Sequence, residues 1–266
     1  RSDRKGKKHG PRSEALGLYP PAIKLKKSNR LQMKNKLVFL FLMMATSGWA
    51  QEKSIHFLQS FDKVKVFKGL VVNLIPFHEQ KIVITGEKAS EVYLKNKNGN
   101  LTITLNLKSV FDSKSLQIDL YYTGLLLELE VFQGATIRSK HTLEQAQLQL
   151  SAREDARIEL DLALEYLKIK ALTGGSMQLT GTTKSQNCKL STGATYQAFN
   201  LKSEYTNIVV SSGAVASIYT DAVLDAKATF GGEVNYKGTP SSLLSKKLMG
   251  GQITQQQDLQ NQNHKQ

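Results

Sequence analysis

The chain has 266 residues, 40% of them hydrophobic, enough for one sizeable core or two small ones. Its formal charge of +14 would suit nucleic acid, but twelve Lys or Arg against two acids fall in residues 1–36, leaving twenty-four against twenty in the rest. That near balance removes the case for a nucleic-acid partner. The single cysteine, Cys188, excludes an intramolecular disulfide, so stability must come from packing.

In chain order, residues 1–32 read as an upstream extension outside the fold, with Met33 as the initiator. Leu37 to Ala45 is an apolar run behind Lys34 and Lys36, followed by Gly48-Trp49-Ala50. A positive start, a short apolar stretch and small residues at −3 and −1 predict a signal peptide over 33–50. The run is shorter than the roughly 20 apolar residues that span a bilayer. With no cysteine at Gln51 to carry a lipid, the expectation is an exported protein of the periplasm, cell surface or medium, with no membrane span after cleavage.

From Phe61 onward β-branched residues alternate with polar ones, the pattern of strands with one buried face. Val64 to Val66, Val72 to Leu74, Ile82 to Ile84, Leu101 to Leu105 and Leu116 to Leu120 read as short strands, separated by Gly69, Pro76, Gly86 and the 96–100 stretch. Further on a unit repeats: alternating apolar positions, a Gly-small step, then more alternation. Taking the step at positions 134, 155, 175, 193, 213 and 231 gives spacings of 21, 20, 18, 20 and 18 residues. Such a period is one coil of a β-solenoid, because a single coil cannot bury its own apolar face and must share it with stacked copies. Cys188 then falls on the first apolar position of its coil, equivalent to Leu167 and Ile208, as an inert buried thiol. An antiparallel sandwich is the rival, but the hairpin signals it needs are scarce; Asn98-Gly99 is the clear one. The domain is expected over 57–254, with a Gln/Asn-rich disordered tail over 255–266.

The opening Phe61-Asp62-Lys63-Val64-Lys65-Val66, then Val71 to Leu74, Ile82 to Gly86, the Gly-Ala steps and the closing Gly231-Gly232-Glu233-Val234-Asn235-Tyr236-Lys237-Gly238-Thr239-Pro240 resemble the head-GIN-domain family. The resemblance spans about residues 57–254. It implies a right-handed, single-stranded parallel β-helix, a cell-envelope location and an adhesin label, and it brings no catalytic residues with it. One departure stands out: Asp155-Ala156 replaces the glycine that marks the other corners.

The chemistry-bearing residues are sparse. Glu154, Asp155, Glu159, Asp161 and Glu165 are the candidates for a carboxylate pair of the kind glycoside hydrolysis requires, set against the reading that they form the solvent side of alternating strands. Lys168 and Lys170 lack the calcium-binding repeats a lyase would want beside them. His56, His78, His141 and His264 show no metal-ligand spacing, and Ser191, Ser211 and Ser212 no nucleophile elbow, so no cofactor is expected. Tyr121-Tyr122 and the set Tyr196, Tyr205, Tyr219 and Tyr236, roughly a coil apart, are the candidate ligand-binding residues, as a ladder on which a sugar or peptide could stack; cross-coil packing is their alternative use. The leading expectation is a non-catalytic surface protein presenting a rigid solenoid face to a glycan or protein. A carbohydrate-active enzyme on the same scaffold and a structural subunit of an envelope complex are the alternatives.

Overall fold

The structure is a computed structural model that describes residues 52–106 and 116–257; the expected upstream extension at 1–32, the expected signal peptide at 33–50 and most of the expected tail lie outside them. The described residues belong to one compact unit, Gln51–Gln266. It is all-β, with about seven turns of a β-solenoid.

Nine strands form its first part: β1 (Lys53–Phe57), β2 (Lys63–Val66), β3 (Val71–Pro76), β4 (Lys81–Thr85), β5 (Val92–Lys97), β6 (Asn100–Leu105), β7 (Gln117–Tyr122), β8 (Glu128–Phe132) and β9 (Thr136–Ser139). Ten follow: β10 (Leu143–Arg153), β11 (Arg157–Leu172), β12 (Ser176–Ser191), β13 (Thr195–Ala198), β14 (Leu201–Ser211), β15 (Val215–Tyr219), β16 (Val223–Thr229), β17 (Glu233–Lys237), β18 (Ser242–Leu248) and β19 (Gln252–Gln255).

Each coil is a back strand, a tight turn, a front strand and a short side that returns to the back. The long strands cover several of these. In β11 the burial alternates as far as Leu164, then Glu165 and Tyr166 are both exposed and alternation resumes at Leu167. That slip of one residue turns the chain from the short side onto the back, since side chains must change phase where the strand bends. β10 slips likewise at Ala146-Gln147, and β14 at Glu204-Tyr205.

The turn between back and front is the most regular feature. Two successive residues have positive φ at Lys68-Gly69, Gln133-Gly134, Glu154-Asp155, Thr173-Gly174, Thr192-Gly193, Ser212-Gly213, Phe230-Gly231 and Met249-Gly250. Paired positive φ with a hydrogen bond across four residues, as from Gly175 N to Leu172 O at 3.0 Å, is the signature of a type I′ turn. The corner glycine of its coil is therefore Gly174 and not Gly175, which follows it and takes the small-residue place of Ala135, Ala156 and Ala194. Asp155 keeps the same corner at φ +60, because a short polar side chain tolerates the left-handed region better than most. The turns are tied in file: Gly69 N donates to Gln133 O at 2.8 Å, Gly134 N to Glu154 O at 2.8 Å, and Asp155 N to Thr173 O at 3.1 Å, continuing to Gly231 N on Met249 O at 3.2 Å.

Stacking in register makes columns. On the front, Val72, Ile137, Ile158, Met177, Tyr196, Ala216, Val234 and Ile253 point inward one above another. Large and small alternate where they must: Tyr196 fills the interior opposite Ala216, so the section stays filled without forcing the coils apart. On the back, Cys188 lies between Ile169 and Ile208; Ile169 is two residues along from the expected partner Leu167, which instead faces Gln186. Gln186 belongs to a buried polar group within this core. Its Oε1 accepts from Tyr196 OH at 2.8 Å, and its Nε2 donates to Ser203 Oγ at 3.0 Å and Thr206 Oγ1 at 3.1 Å, so its polar atoms are all satisfied.

Chain order and spatial order agree from β8 onward but not before. β2 and β3 form a coil that sits between β6/β7 on one side and β8/β9 on the other, all in parallel pairing. Beyond β7 the front sheet continues antiparallel through β4 to β1, and beyond β6 the back sheet continues antiparallel to β5. Asn98-Gly99 makes the β5–β6 hairpin its sequence announces, with φ +51 and +77. The solenoid is thus parallel along its length and antiparallel at its N-terminal end, where β4 pairs with β7 and β5 with β6.

Candidate functional site

Front strands point alternate residues outward, and the register aligns those residues across coils. One outward column runs Asp119, Asn73, Arg138, Glu159, Gln178, Gln197, Ser217, Asn235, Thr254. Every rung can donate or accept a hydrogen bond, and neighbouring rungs lie about 4.8 Å apart. Across its N-terminal half the column lines an open groove of about 800 Å³, bordered by Ser139 at the end of β9, Lys140 and His141 from the loop after it, and by Asp161 and Thr180.

The groove's polar side chains hold one another in place. Asn73 Nδ2 donates to Asp119 Oδ1 at 2.6 Å, and Gln117 Nε2 donates to Asp119 Oδ2 at 3.1 Å. Arg138 Nε donates to Asn73 Oδ1 at 2.7 Å. This leaves the exposed end of the Arg138 guanidinium on the rung next to Glu159, cation and anion side by side in the groove floor. A charged fork set by its own hydrogen bond loses little freedom on meeting a ligand, the main benefit of preorganisation.

An aromatic cluster adjoins one end. Tyr121 pairs with Ile75, which lines the groove, and the Phe77 ring meets Tyr121 edge-on at 5.4 Å between centroids. Lys81 Nζ stands 4.8 Å from the centre of the Phe77 ring, and His78 lies against the same ring at 4.0 Å.

Of the five carboxylates singled out above, the groove gathers two. Glu159 and Asp161 share the outer face of β11, while Glu154 and Asp155 sit at the turn and Glu165 at the bend into the back. Asp161 is engaged on both oxygens, accepting from Thr142 Oγ1 at 2.5 Å and Thr180 Oγ1 at 2.8 Å, and Arg157 reaches Glu159 at 3.7 Å. These contacts fix the carboxylates as rungs of the sheet.

The four candidate tyrosines do not share a face. Tyr196 lies in the core against Gln186, and Tyr236 is an inward residue beside Ile218. Tyr205 stands exposed at the bend onto the back, paired with Ser185 and Val223, and Tyr219 ends β15 next to Lys237. Their intervals are 9, 14 and 17 residues, short of the coil of about 19, and a difference of one residue in position along the coil is enough to send a side chain to the opposite face. Asn73, Arg138 and Asp119 were not singled out from the sequence. Reading the same coil position across all repeats finds the column from Glu159 to Asn235. Asn73 and Asp119 join it only through the out-of-order stacking of β3 and β7.

Cys188 and Tyr196 are fully enclosed. Burial pushes the thiol far above its ordinary range, and burial first and the neighbouring Cys188 second push the phenol up, so neither is a nucleophile at neutral pH.

A family profile described as putative auto-transporter adhesin, head GIN domain, matches residues 60–240. The chain belongs to this family. Solved structures with the same coil arrangement include a putative adhesin from Bacteroides fragilis, 16% identical, with 77% of this chain and 97% of that one aligned at a TM-score of 0.67. A putative adhesin from Parabacteroides merdae, also 16% identical, aligns over 78% and 96% at 0.61. A putative lipid binding protein from Parabacteroides distasonis, 15% identical, aligns over 78% and 97% at 0.60. No curated protein matches. At these identities the likeness establishes the fold of this head GIN domain and leaves its ligand to be argued from its own residues.

Proposed function

We propose that this head GIN domain is exported by the segment at 33–50 and acts without catalysis as a glycan-binding surface protein, its site being the front-face groove. The observation that carries this reading is the ordered chain Gln117, Asp119, Asn73, Arg138, with Glu159 on the next rung and the Phe77–Tyr121 cluster at its end. Sugars present hydroxyls in two directions and an apolar ring face in a third. A site for them needs donors and acceptors in a row plus an exposed aromatic edge. Repetition at a constant rung spacing suits a polymer better than a single small ligand.

The test is a panel of purified polysaccharides titrated calorimetrically against the protein. Binding to at least one, weakened about tenfold or more by Arg138→Ala and unchanged by Tyr205→Ala on the far bend, is the expected result. Reducing ends released from any member of the panel, and abolished by Glu159→Gln, would replace this reading with the glycosidase one.

A further inference from the structure

The back face carries a second pattern, on the opposite side of the coil from the groove. Its outward columns begin with neutralised lysines: Lys63 pairs with Glu128 at 3.7 Å, and Lys65 is in contact with Glu130. Toward the C-terminal end one acid, Asp225, remains in these columns and the lysines continue. Lys170, Lys189, Val209, Lys227 and Lys246 follow one another on successive coils, with Lys168 in the adjoining column. Among the described residues none of these five lysines is in an ion pair with a carboxylate; the acid beside them, Asp225, accepts a hydrogen bond from Asn207 Nδ2 at 3.0 Å. Like charges on neighbouring strands destabilise a sheet unless something of opposite sign covers them.

The same face ends in exposed apolar side chains. Leu244 and Leu248 alternate with Lys246 along β18, so all three point outward, and the leucines are 61% and 44% exposed. Beside them the turn file changes character. Its outermost residues in the earlier coils are Lys68, Gln133, Glu154, Thr173, Thr192 and Ser212, but in the last two they are Phe230 and Met249, 60% and 72% exposed. Both sit at positive φ, +51 and +48, a strained conformation for bulky side chains that holds them clear of the protein.

We propose that the C-terminal back face docks peripherally on an anionic lipid bilayer, the lysine column lying against headgroups and Phe230, Leu244, Leu248 and Met249 entering the interface. A basic patch and an apolar patch that adjoin are the two signals that together hold a protein on such a surface, where one alone is weak. A soluble polyanion would satisfy the lysines but gives the protruding apolar residues no function, which favours the bilayer. No strand crosses the membrane in this arrangement, and the front groove stays open to its own ligand.

The experiment is vesicle co-sedimentation of the Gln51–Gln266 unit, which has its own core, with phosphatidylcholine alone and with phosphatidylcholine–phosphatidylglycerol at equal total lipid. Binding to the mixed vesicles only is expected. Replacing Lys189, Lys227 and Lys246 by Gln should weaken it on the order of a hundredfold, about fivefold per lysine. The variant Phe230→Asn, Leu244→Gln, Leu248→Gln, Met249→Asn should keep binding at low salt and lose it at high salt, where the wild type still sediments. Unchanged circular dichroism and melting of both variants exclude unfolding as the cause. The proposal is overturned if the wild type ignores anionic vesicles or binds neutral ones equally. It also fails if the apolar variant behaves as wild type while dextran sulfate competes fully, the result for a soluble polyanion.

Discussion

From β10 to β19 each coil lies on the one made just before it, whereas before β10 the chain doubles back and lays its first coil between two later ones. In the sequential part, partners such as Ile158 and Met177 are one coil apart in the chain. In the interleaved part they are distant: Asn73 and Arg138, joined by a hydrogen bond, are 65 residues apart. A stack of neighbours gains stability piece by piece and can fray from its end, while long-range pairings form or fail together. The groove lies across the seam between the two, so its geometry depends on the interleaved block being closed.

The sharpest way to test that contrast is to make the same kind of hole in each region. Leu129 on β8 is fully buried between Val64 on β2 and Leu150 on β10, at the point where spatial and chain order rejoin. Leu129→Ala should cost about 3 kcal/mol and, in hydrogen exchange, loosen β2, β3, β6 and β7 as one unit. Ile253→Ala, on the last strand with Val234 as its inner neighbour, should cost less than half as much and expose only β18 and β19. Equal costs and a shared exchange pattern would show that the solenoid is one cooperative block.

Second in size is a backbone test within the sequential coils. Gly181 has φ +102, and a Cβ there would come within 2.0 Å of the Leu162 carbonyl oxygen in the coil beneath. Gly181→Ala should therefore cost about 2–3 kcal/mol in urea unfolding, through left-handed strain plus the clash. A loss under 1 kcal/mol would mean that the coils can slide apart to admit the methyl group.

The next comparison uses pH. In the folded chain Cys188 and Tyr196 keep their protons at pH values where the unfolded chain, with ordinary values of 9.0 and 10.0, has lost them. The unfolded state then binds fewer protons, so stability is flat below about pH 8 and falls as the pH rises past 9, by about 1.4 kcal/mol per pH unit for each group. Urea midpoints measured from pH 7 to 10.5 should show this decline, and Cys188→Ala should remove the part that begins near 9. A profile identical in the variant would mean that the thiol is not enclosed as described.

How far these features can be read from the residues follows the same division. The period of about 19 residues, the turns and the inward columns are written locally from Gly134 to Gly250, because each coil repeats its own instructions. Gly174 and Gly175 were interchangeable to pattern reading; only φ separates the corner residue from the one after it. Alternation alone could not tell which tyrosines face out, since bends such as Glu165-Tyr166 reset the phase once per coil. The seat of β2/β3 between β7 and β9 has no local signal at all. For that reason Asn73, Asp119 and Arg138, on three strands far apart in the chain, did not present themselves as a group.

The smallest expected effect concerns the one corner without glycine. Asp155→Gly relieves a left-handed side chain at φ +60 and should raise stability by about 0.5 kcal/mol, the strain removed exceeding slightly the extra freedom given to the unfolded chain. A fall instead would assign Asp155 a contact worth keeping in its own right.

The front-face site is tested most directly by mapping amide chemical shifts of the Gln51–Gln266 unit during titration with the polysaccharide that binds best. Shifts concentrated on Asn73, Asp119, Arg138, Glu159 and Gln178, fading along the column toward Thr254, are the predicted result. Shifts confined to the back face or to the Tyr205 bend, with the front column silent, would contradict it.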